Sequence, residues 1–378
     1  MGAITATRER VRHDIARLIH RPVGVPEFAR TVSRTLARAV PFDGTCLLTM
    51  DPATLLPTRE VVENALPATA QVRLIEIELR EPDVNKFADL ARASRPAASL
   101  SEATAGDLDR SLRHRELRRP SGFEDELRVV LPGAMGVWGA LTLLREVQRP
   151  HFAPAEVDFV ASLAGVLADG LRRAMLLGDA APVGDMAAAG GDAGVVVLTA
   201  DTDTSETYRV EMVNRAGDRW LAELGAGRRP SGQLPPVIRA VADRTRQLAG
   251  GDAVADAGIA RARVRTAAGS WMVVRGSILG DGPESRVVVL LEEARPPELA
   301  PLIADAHGLT ERERLVVELV AQGFSTNEIA ELLRLSAYTV QDHLKSIFEK
   351  FGASSRGELV ARLFFDRSAP RLTPEPRG

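Results

Sequence analysis

The sequence predicts a multidomain protein in which an α/β sandwich and an α+β domain precede a small all-α domain of four helices. A length of 378 residues is enough for two or three domains of about 150 residues. Two changes of composition divide the chain. Residues 178–191 are rich in glycine and lack a periodic apolar face, which is typical of a flexible linker. From Arg295 the chain has two consecutive prolines, which do not continue a strand or a helix interior. The predicted segments are therefore 1–177, 192–295 and 305–368, with a disordered tail at 369–378.

The composition indicates what class of protein the sequence encodes. Basic and acidic side chains number 48 and 51, and 45% of residues are hydrophobic, so the chain is that of an ordinary globular protein. The single cysteine, Cys46, cannot form an internal disulfide, which favours a reducing cytoplasm. The longest uncharged run, residues 129–144, is shorter than the ~20 residues of a membrane span and contains proline and glycine. We expect a cytoplasmic protein with no membrane partner.

The first segment has the pattern of an α/β sandwich. Helical periodicity between Arg8 and Arg38 is followed by a predicted strand and helix, a two-stranded hairpin with turn residues at 132–136, and a long amphipathic helix over Pro154–Leu177. This order, with Gly139-Ala140-Leu141 in the last strand and Phe152–Glu156 before the last helix, resembles a GAF domain. The resemblance implies a sensor of a small-molecule or protein ligand.

The second segment has a different order of predicted helices and strands from the first. Its pattern predicts two strands, two helices over Arg215–Leu224 and Val237–Leu248, and then three strands joined by short turns that contain Gly269 and Gly280. Three such strands predict an antiparallel meander. The arrangement is similar to a PAS domain, with Val213-Asn214-Arg215-Ala216 at the entry to the first helix, and it implies a second sensory domain.

The third segment carries three capping boxes. The motif S/T-x-x-E occurs at Thr310, Ser325 and Ser355, and each copy opens an apolar periodic run. The first run stops at Gly323, a favourable left-handed cap, and another helix starts at Ser336. Two short helices joined by a tight turn predict a helix-turn-helix, whose second helix enters the DNA major groove.

A helical wheel divides the second helix of this motif into two faces. Apolar side chains gather on one side, at Val340, Leu344, Ile347, Phe348 and Phe351. The opposite side carries Tyr338, Asp342, Lys345, Ser346 and Glu349, with Gln341 on its flank. Because a small bundle needs only the first face for packing, the second face is free to meet DNA.

Residues 309–364 resemble the LuxR-type DNA-binding domain. The match lies in Leu309-Thr310-Glu311-Arg312-Glu313, Ala321-Gln322-Gly323, Asn327-Glu328-Ile329-Ala330, Ser336, Thr339 to Lys345, Lys350 and Arg356. The resemblance implies that Tyr338 and Thr339 lie near phosphates, that Gln341, Asp342 and Lys345 face base edges, and that the last helix assists dimerisation. The predicted DNA contacts are Tyr338, Thr339, Gln341, Asp342, Lys345, Ser346 and Lys350.

These observations favour a bacterial transcriptional regulator that binds double-stranded DNA as a homodimer. One feature favours an alternative. Between Asp305 and Arg367 the chain has eight basic and ten acidic residues, whereas DNA-binding domains usually carry a basic surface. The alternative function is a protein-interaction or signal-sensing module whose operator binding is weak or lost.

Motifs for enzymatic chemistry are missing from the sequence. No glycine precedes a lysine, so the chain has no Walker A loop, and neither G-x-S-x-G nor H-E-x-x-H occurs. Cys46 lies in a predicted apolar strand and is expected to be a small buried residue. We therefore expect no catalytic residues, metal or cofactor, although an enzyme that handles the ligand of the first segment stays open. The sequence leaves the signal, the operator and the direction of regulation open.

Overall fold

The structure is a computed structural model, and it describes residues 2–66, 68–177, 192–200, 208–225, 234–250, 259–267, 269–282 and 284–364. The chain forms two compact units, Met1–Glu293 and Ala294–Gly378. The predicted linker, 178–191, and the predicted tail, 369–378, lie outside the described residues.

The first module of the larger unit is built on a five-stranded antiparallel sheet. Its helices are α1 (Gly2–Leu18), α2 (Val25–Leu36), α3 (Ala68–Arg80), α4 (Phe87–Leu90), α5 (Leu100–Ala103) and α6 (Pro154–Leu177), and its strands are β1 (Gly44–Met50), β2 (Pro57–Glu63), β3 (Ala97–Ser99), β4 (Phe123–Gly133) and β5 (Gly136–Glu146). The strand order is β2-β1-β5-β4-β3. The predicted helix at 154–177 is confirmed, and its apolar face, which includes Val160, Leu163 and Leu167, is buried. The β4–β5 turn requires glycine at 136, because φ is +120° and a Cβ would lie 2.1 Å from the Pro52 carbonyl oxygen.

The second module has its own five-stranded antiparallel sheet. Its elements are β6 (Gly194–Ala200), β7 (Tyr208–Val213), α7 (Arg215–Leu224), α8 (Pro236–Ala249), β8 (Arg261–Arg265), β9 (Trp271–Leu279) and β10 (Arg286–Glu293), and the strand order is β7-β6-β10-β9-β8. The predicted meander of the last three strands is confirmed by their antiparallel register. Asn214 caps α7, because its side chain accepts a hydrogen bond from the Gly217 amide at 2.7 Å.

Two polar clusters join the modules within this unit. Asp51, at the end of β1, accepts hydrogen bonds from the Arg263 backbone amide (2.7 Å), Nε (2.9 Å) and Nη2 (2.7 Å), and both side chains are buried. At the end of α3, Arg80 donates to Asp243 and to the Tyr208 hydroxyl. Burial raises the pKa of Asp243 to about 6. The two sheets therefore share a buried, charged contact.

The smaller unit is helical. It contains the four expected helices, α10 (Glu311–Ala321), α11 (Thr326–Leu333), α12 (Ala337–Phe351) and α13 (Arg356–Phe364), and a further helix ahead of them, α9 (Pro296–Ala306). The two prolines that opened this stretch occupy the first turn of α9, where no amide donor is needed. Val316, Ile329, Val340, Ile347 and Leu359 form its core. Among the residues that the structure describes, no helix is long and apolar enough to span a membrane.

Candidate nucleic-acid interface

Side-chain caps fix where the helices of the smaller unit begin. Glu313 and Thr310 exchange hydrogen bonds at the start of α10, and Glu328 and Ser325 do the same at the start of α11. Both predicted capping boxes are confirmed. The third motif behaves differently: Ser355 accepts from the Glu358 amide at 3.1 Å, but the Glu358 carboxylate bonds to the amide of Ser354. That carboxylate therefore caps one residue earlier than the motif predicts.

A tight turn sets α12 against α11. Helix α11 ends at Leu333, and its C-cap, Arg334, adopts a left-handed conformation with φ of +54°. The Leu335 amide then donates to the Ala330 carbonyl at 2.9 Å, which closes the turn. Ser336 follows as the N-cap of α12 and accepts from the Thr339 amide at 3.0 Å. Two helices joined in this way form the predicted helix-turn-helix.

Helix α12 has the two faces that the wheel predicts. Val340, Leu344, Ile347 and Phe351 are buried against the other helices. Tyr338, Gln341, Asp342 and Lys345 are exposed, and Tyr338 has 73% of its surface accessible. These four residues lie within about 100° of one another around the helix axis, and we call them the exposed face of α12. Their side chains can offer a phenol, an amide, a carboxylate and an ammonium to a ligand.

The other three predicted contacts lie beside this face. The hydroxyl of Thr339 is 2.8 Å from that of Ser336 in the first turn of α12. Ser346 Oγ donates to Glu313 Oε1 and Lys350 Nζ donates to Glu313 Oε2, each at 2.6 Å. Ser346 and Lys350 therefore bind α10. Only one of the three N–H donors of Lys350 is needed for that bond, and about a third of its side chain stays exposed.

Glu313 is the residue whose role sequence analysis missed. Its carboxylate caps α10 and also holds α12 through Ser346 and Lys350. Burial alone would raise its pKa, but the hydrogen bonds from Lys350, Ser346 and Thr310 lower it to about 2. The motif S/T-x-x-E signals the cap, whereas the contact with α12 depends on packing between distant residues.

The comparison with known families covers this same region. Residues 307–363 match GerE, the family of bacterial regulatory proteins, luxR family. The matched segment holds the helix-turn-helix and the exposed face of α12, so the carboxy-terminal domain is a LuxR-type helix-turn-helix domain.

Two bacterial transcriptional regulatory proteins are similar to part of the chain. The transcriptional regulatory protein DesR of Bacillus subtilis is 36% identical over 96 residues, which are 24% of this chain and 48% of DesR. Escherichia coli UhpA, another transcriptional regulatory protein, is 43% identical over 70 residues, which are 18% of this chain and 36% of UhpA. The chain thus covers half or less of each relative's length. The solved structure of Escherichia coli SdiA aligns over 93% of this chain and 94% of its own, at 12% identity and a TM-score of 0.33. A TM-score this low supports no conclusion about the upstream fold.

A pocket lies in the first module, on the side of the sheet that α3 covers. Its volume is about 980 Å³ including its open mouth, and its walls are mainly apolar, with Leu48, Leu74 and Phe87 among them. Pro236 and Arg244 of α8 also line it, so the second module helps to form it. Cys46 lies in β1 at this pocket, and burial raises the pKa of its thiol to about 12. Within the described ranges, no cluster of His, Cys, Asp or Glu could hold a metal ion.

Proposed function

We propose that this protein is a sequence-specific DNA-binding transcriptional regulator of the LuxR type. One observation carries the proposal: α12 buries one face in its own domain and leaves Tyr338, Gln341, Asp342 and Lys345 exposed on the other. This is the arrangement with which a recognition helix meets base edges in the major groove. The family match over residues 307–363 supports it.

The residues on and beside the exposed face of α12 have different proposed contacts with DNA. Gln341 can bond to adenine in a bidentate manner, and Lys345 can donate to guanine O6 and N7. Asp342 can accept from the amine of cytosine but repels phosphate. Tyr338 and Thr339, in the first turn, lie where the positive end of the helix dipole favours phosphate. Ser346 and Lys350 hold α12 against α10 through Glu313, and the exposed third of the Lys350 side chain can contact a phosphate beside that face.

Control by the upstream modules completes the proposal. We assign a GAF-like role to the first module and a PAS-like role to the second, because their orders of helices and antiparallel strands match those patterns. The apolar pocket beside α3 is the site for a small-molecule ligand, and a protein ligand on the same module would act similarly. A homodimer would present two copies of α12 to half-sites about ten base pairs apart or a multiple of that spacing.

Salt dependence of binding tests the role of α12. Affinity of the full chain for genomic DNA fragments is measured by fluorescence anisotropy at several salt concentrations. The variant Gln341→Ala/Lys345→Ala should lose affinity, and its logarithmic salt slope should be shallower by about 0.9 if Lys345 touches phosphate. Glu349→Ala, on the same helix but of opposite charge, should bind as well as the wild type or better. Equal affinities for all three proteins would refute the assignment of this face.

The negative net charge of the carboxy-terminal domain favours a second candidate function. The carboxy-terminal domain has a net charge of −2 between Asp305 and Arg367, and the exposed Asp342 adds negative charge to the DNA-facing side. A surface with this charge can instead bind a basic protein partner. If binding to DNA shows neither sequence preference nor dependence on α12, this interaction function replaces the first one.

A further inference from the structure

A second cleft lies where the two modules of the larger unit meet. It is separate from the apolar pocket beside α3 and has a volume of about 590 Å³ including its open mouth. The first module contributes the start of α2, the end of β1, the start of β2 and the end of α6, and the second module contributes the β8–β9 hairpin. No acidic side chain is among its lining residues within the described ranges.

Arg59 supplies a positive charge to this cleft. It pairs directly with Thr49 in the register of β1 and β2, so both side chains lie on the same face of the sheet. Arg59 is half-buried, and no acidic residue of the described part of the chain forms an ion pair with it. Burial lowers the pKa of its guanidinium. A half-buried cation without a counter-charge gains free energy when an anion binds beside it.

Thr266 supplies an unused hydrogen-bond donor from the other module. Its residue surface is only 3% exposed, and its backbone amide is already bonded to the Ser270 carbonyl at 2.8 Å. Its side-chain Oγ1 has no hydrogen-bond partner among the residues that the structure describes. A buried hydroxyl in this position is costly unless a ligand or water satisfies it.

Two further features of this cleft favour the binding of an anion. Helix α2, of 12 residues, begins at this cleft, and its N-cap, Gly24, has no side chain that could cap the amides of Val25 and Glu27; Pro26, between them, has no amide hydrogen. The acid of that first turn, Glu27, is 3.7 Å from Arg21 and does not line the cleft. Arg265 also lines it and donates to the carbonyls of Gly269 (3.0 Å) and Met175 (3.2 Å), which bridges the two modules.

We propose that this cleft binds a phosphate group, either inorganic phosphate or the phosphoryl group of a small molecule, between Arg59 of the first module and Thr266 of the second. A dianion with several acceptor oxygens can accept from a guanidinium, a hydroxyl and helix amides at the same time. Because its donors come from both modules, the ligand binds only while they are joined, and it stabilises their contact through mass action. The proposal does not depend on DNA binding, since its readout is binding of the anion to the chain itself.

The test measures binding of sodium phosphate to the full chain. Sodium chloride at matched ionic strength is the reference, and sodium acetate tests whether a carboxylate binds as well as phosphate does. Calorimetric titration should give saturable binding of phosphate, and the thermal unfolding midpoint should rise with phosphate concentration beyond the effect of chloride. Arg59→Met should weaken phosphate binding by on the order of tenfold or more, and Thr266→Val by several-fold, because each removes a bond to a charged group.

Arg209→Met is the matched control. Arg209 is an exposed arginine in β7, at the opposite edge of the second sheet from β8. This variant should bind phosphate like the wild type. If Arg59→Met alters the fold, as seen by circular dichroism, Thr266→Val decides, because it keeps the volume of the side chain. No saturable binding of phosphate, equal binding in Thr266→Val, or acetate binding as tight as phosphate would each overturn the proposal.

Discussion

Replacing Glu313 with alanine should destabilise the carboxy-terminal domain far more than its position in a capping box suggests. The carboxylate accepts hydrogen bonds from the Thr310 amide at 2.7 Å and from Ser346 Oγ and Lys350 Nζ at 2.6 Å. Its side chain is only 5% exposed, so water would not readily replace it as the partner of these donors. The substitution removes the carboxylate half of the α10 capping box and the polar bond between α10 and α12 in one step, whereas Thr310 still accepts from the backbone amide of residue 313.

The size of the effect follows from these contacts. Loss of one hydrogen bond of the capping box costs up to about 1 kcal/mol, because Thr310 remains as the N-cap, and hydrogen bonds to a charged group contribute about 1.5–3 kcal/mol each. Because the three bonds share one carboxylate, their contributions do not add fully. We expect Glu313→Ala to lower the free energy of unfolding of this domain by about 3 kcal/mol.

The effect is best measured by hydrogen exchange with mass spectrometry. Tryptophan fluorescence would not report on the carboxy-terminal unit, because the three tryptophans, Trp138, Trp220 and Trp271, all lie outside it. Amides of α10 and α12 should exchange faster in Glu313→Ala. Glu328→Ala is the matched control, since Glu328 caps α11 in the same way but is exposed and, among the described residues, accepts no hydrogen bond from a second helix. Equal protection in the two variants would refute the argument.

The same carboxylate predicts a dependence on pH. The folded-state pKa of Glu313 is about 2, below its ordinary value of 4.5, so its contribution to stability is complete above pH 4.5 and is lost as the pH falls towards 2. In Glu313→Gln the domain should lose less stability over this range than the wild type does. An unchanged acid transition in the glutamine variant would contradict the assigned hydrogen bonds.

Three further predictions concern other parts of the chain. Lys345→Ala should weaken specific DNA binding by about 1–3 kcal/mol and relax the preference at one base pair, as measured by binding to a panel of operator variants. Asp51→Ala should lower the free energy of unfolding by about 3–5 kcal/mol in a denaturant titration, because it removes the carboxylate that accepts three hydrogen bonds from the buried Arg263; a loss below about 1 kcal/mol would contradict this. Cys46 should react slowly with a thiol reagent at pH 8 in the native protein and quickly after denaturation, because desolvation raises the pKa of its half-buried thiol to about 12; rapid native reaction would contradict that raised pKa.

The sequence predicted the local features of the carboxy-terminal domain well, because they depend on neighbours in the chain. A hydroxyl three residues before a glutamate predicts the helix starts at Thr310 and Ser325, and apolar spacing predicts the buried face of α12. Helix α9 was not predicted, since prolines are evidence against a helix interior but are compatible with a first turn. The hydrogen bonds of Ser346 and Lys350 to Glu313 were not predicted, because they join residues more than thirty positions apart, and the DNA contacts of these two residues stay predictions.

In the larger unit, too, elements with a clear local pattern were predicted and contacts between distant residues were not. Helix α6 follows apolar periodicity and was predicted with its observed bounds, and the strands β8, β9 and β10 were predicted as a meander. Strand β2 has three charged residues in seven and alternates only weakly, so no strand was predicted there. The contact between Asp51 and Arg263 joins residues 212 positions apart, and no local pattern could indicate it. The division of the chain at residues 177 and 192 stays a prediction.

The central claim is that the exposed face of α12 recognises a DNA sequence. The most direct measurement is selection of bound fragments from the source genome with the purified full chain, followed by affinity measurements on the enriched fragments and on random DNA at one fixed salt concentration. The account predicts an enriched motif with two half-sites centred about ten base pairs apart or a multiple of that spacing, bound at least ~10³-fold more tightly than random DNA. Lys345→Ala should reduce that ratio. Recovery of fragments without a shared motif, bound no more tightly than random DNA, would contradict the claim.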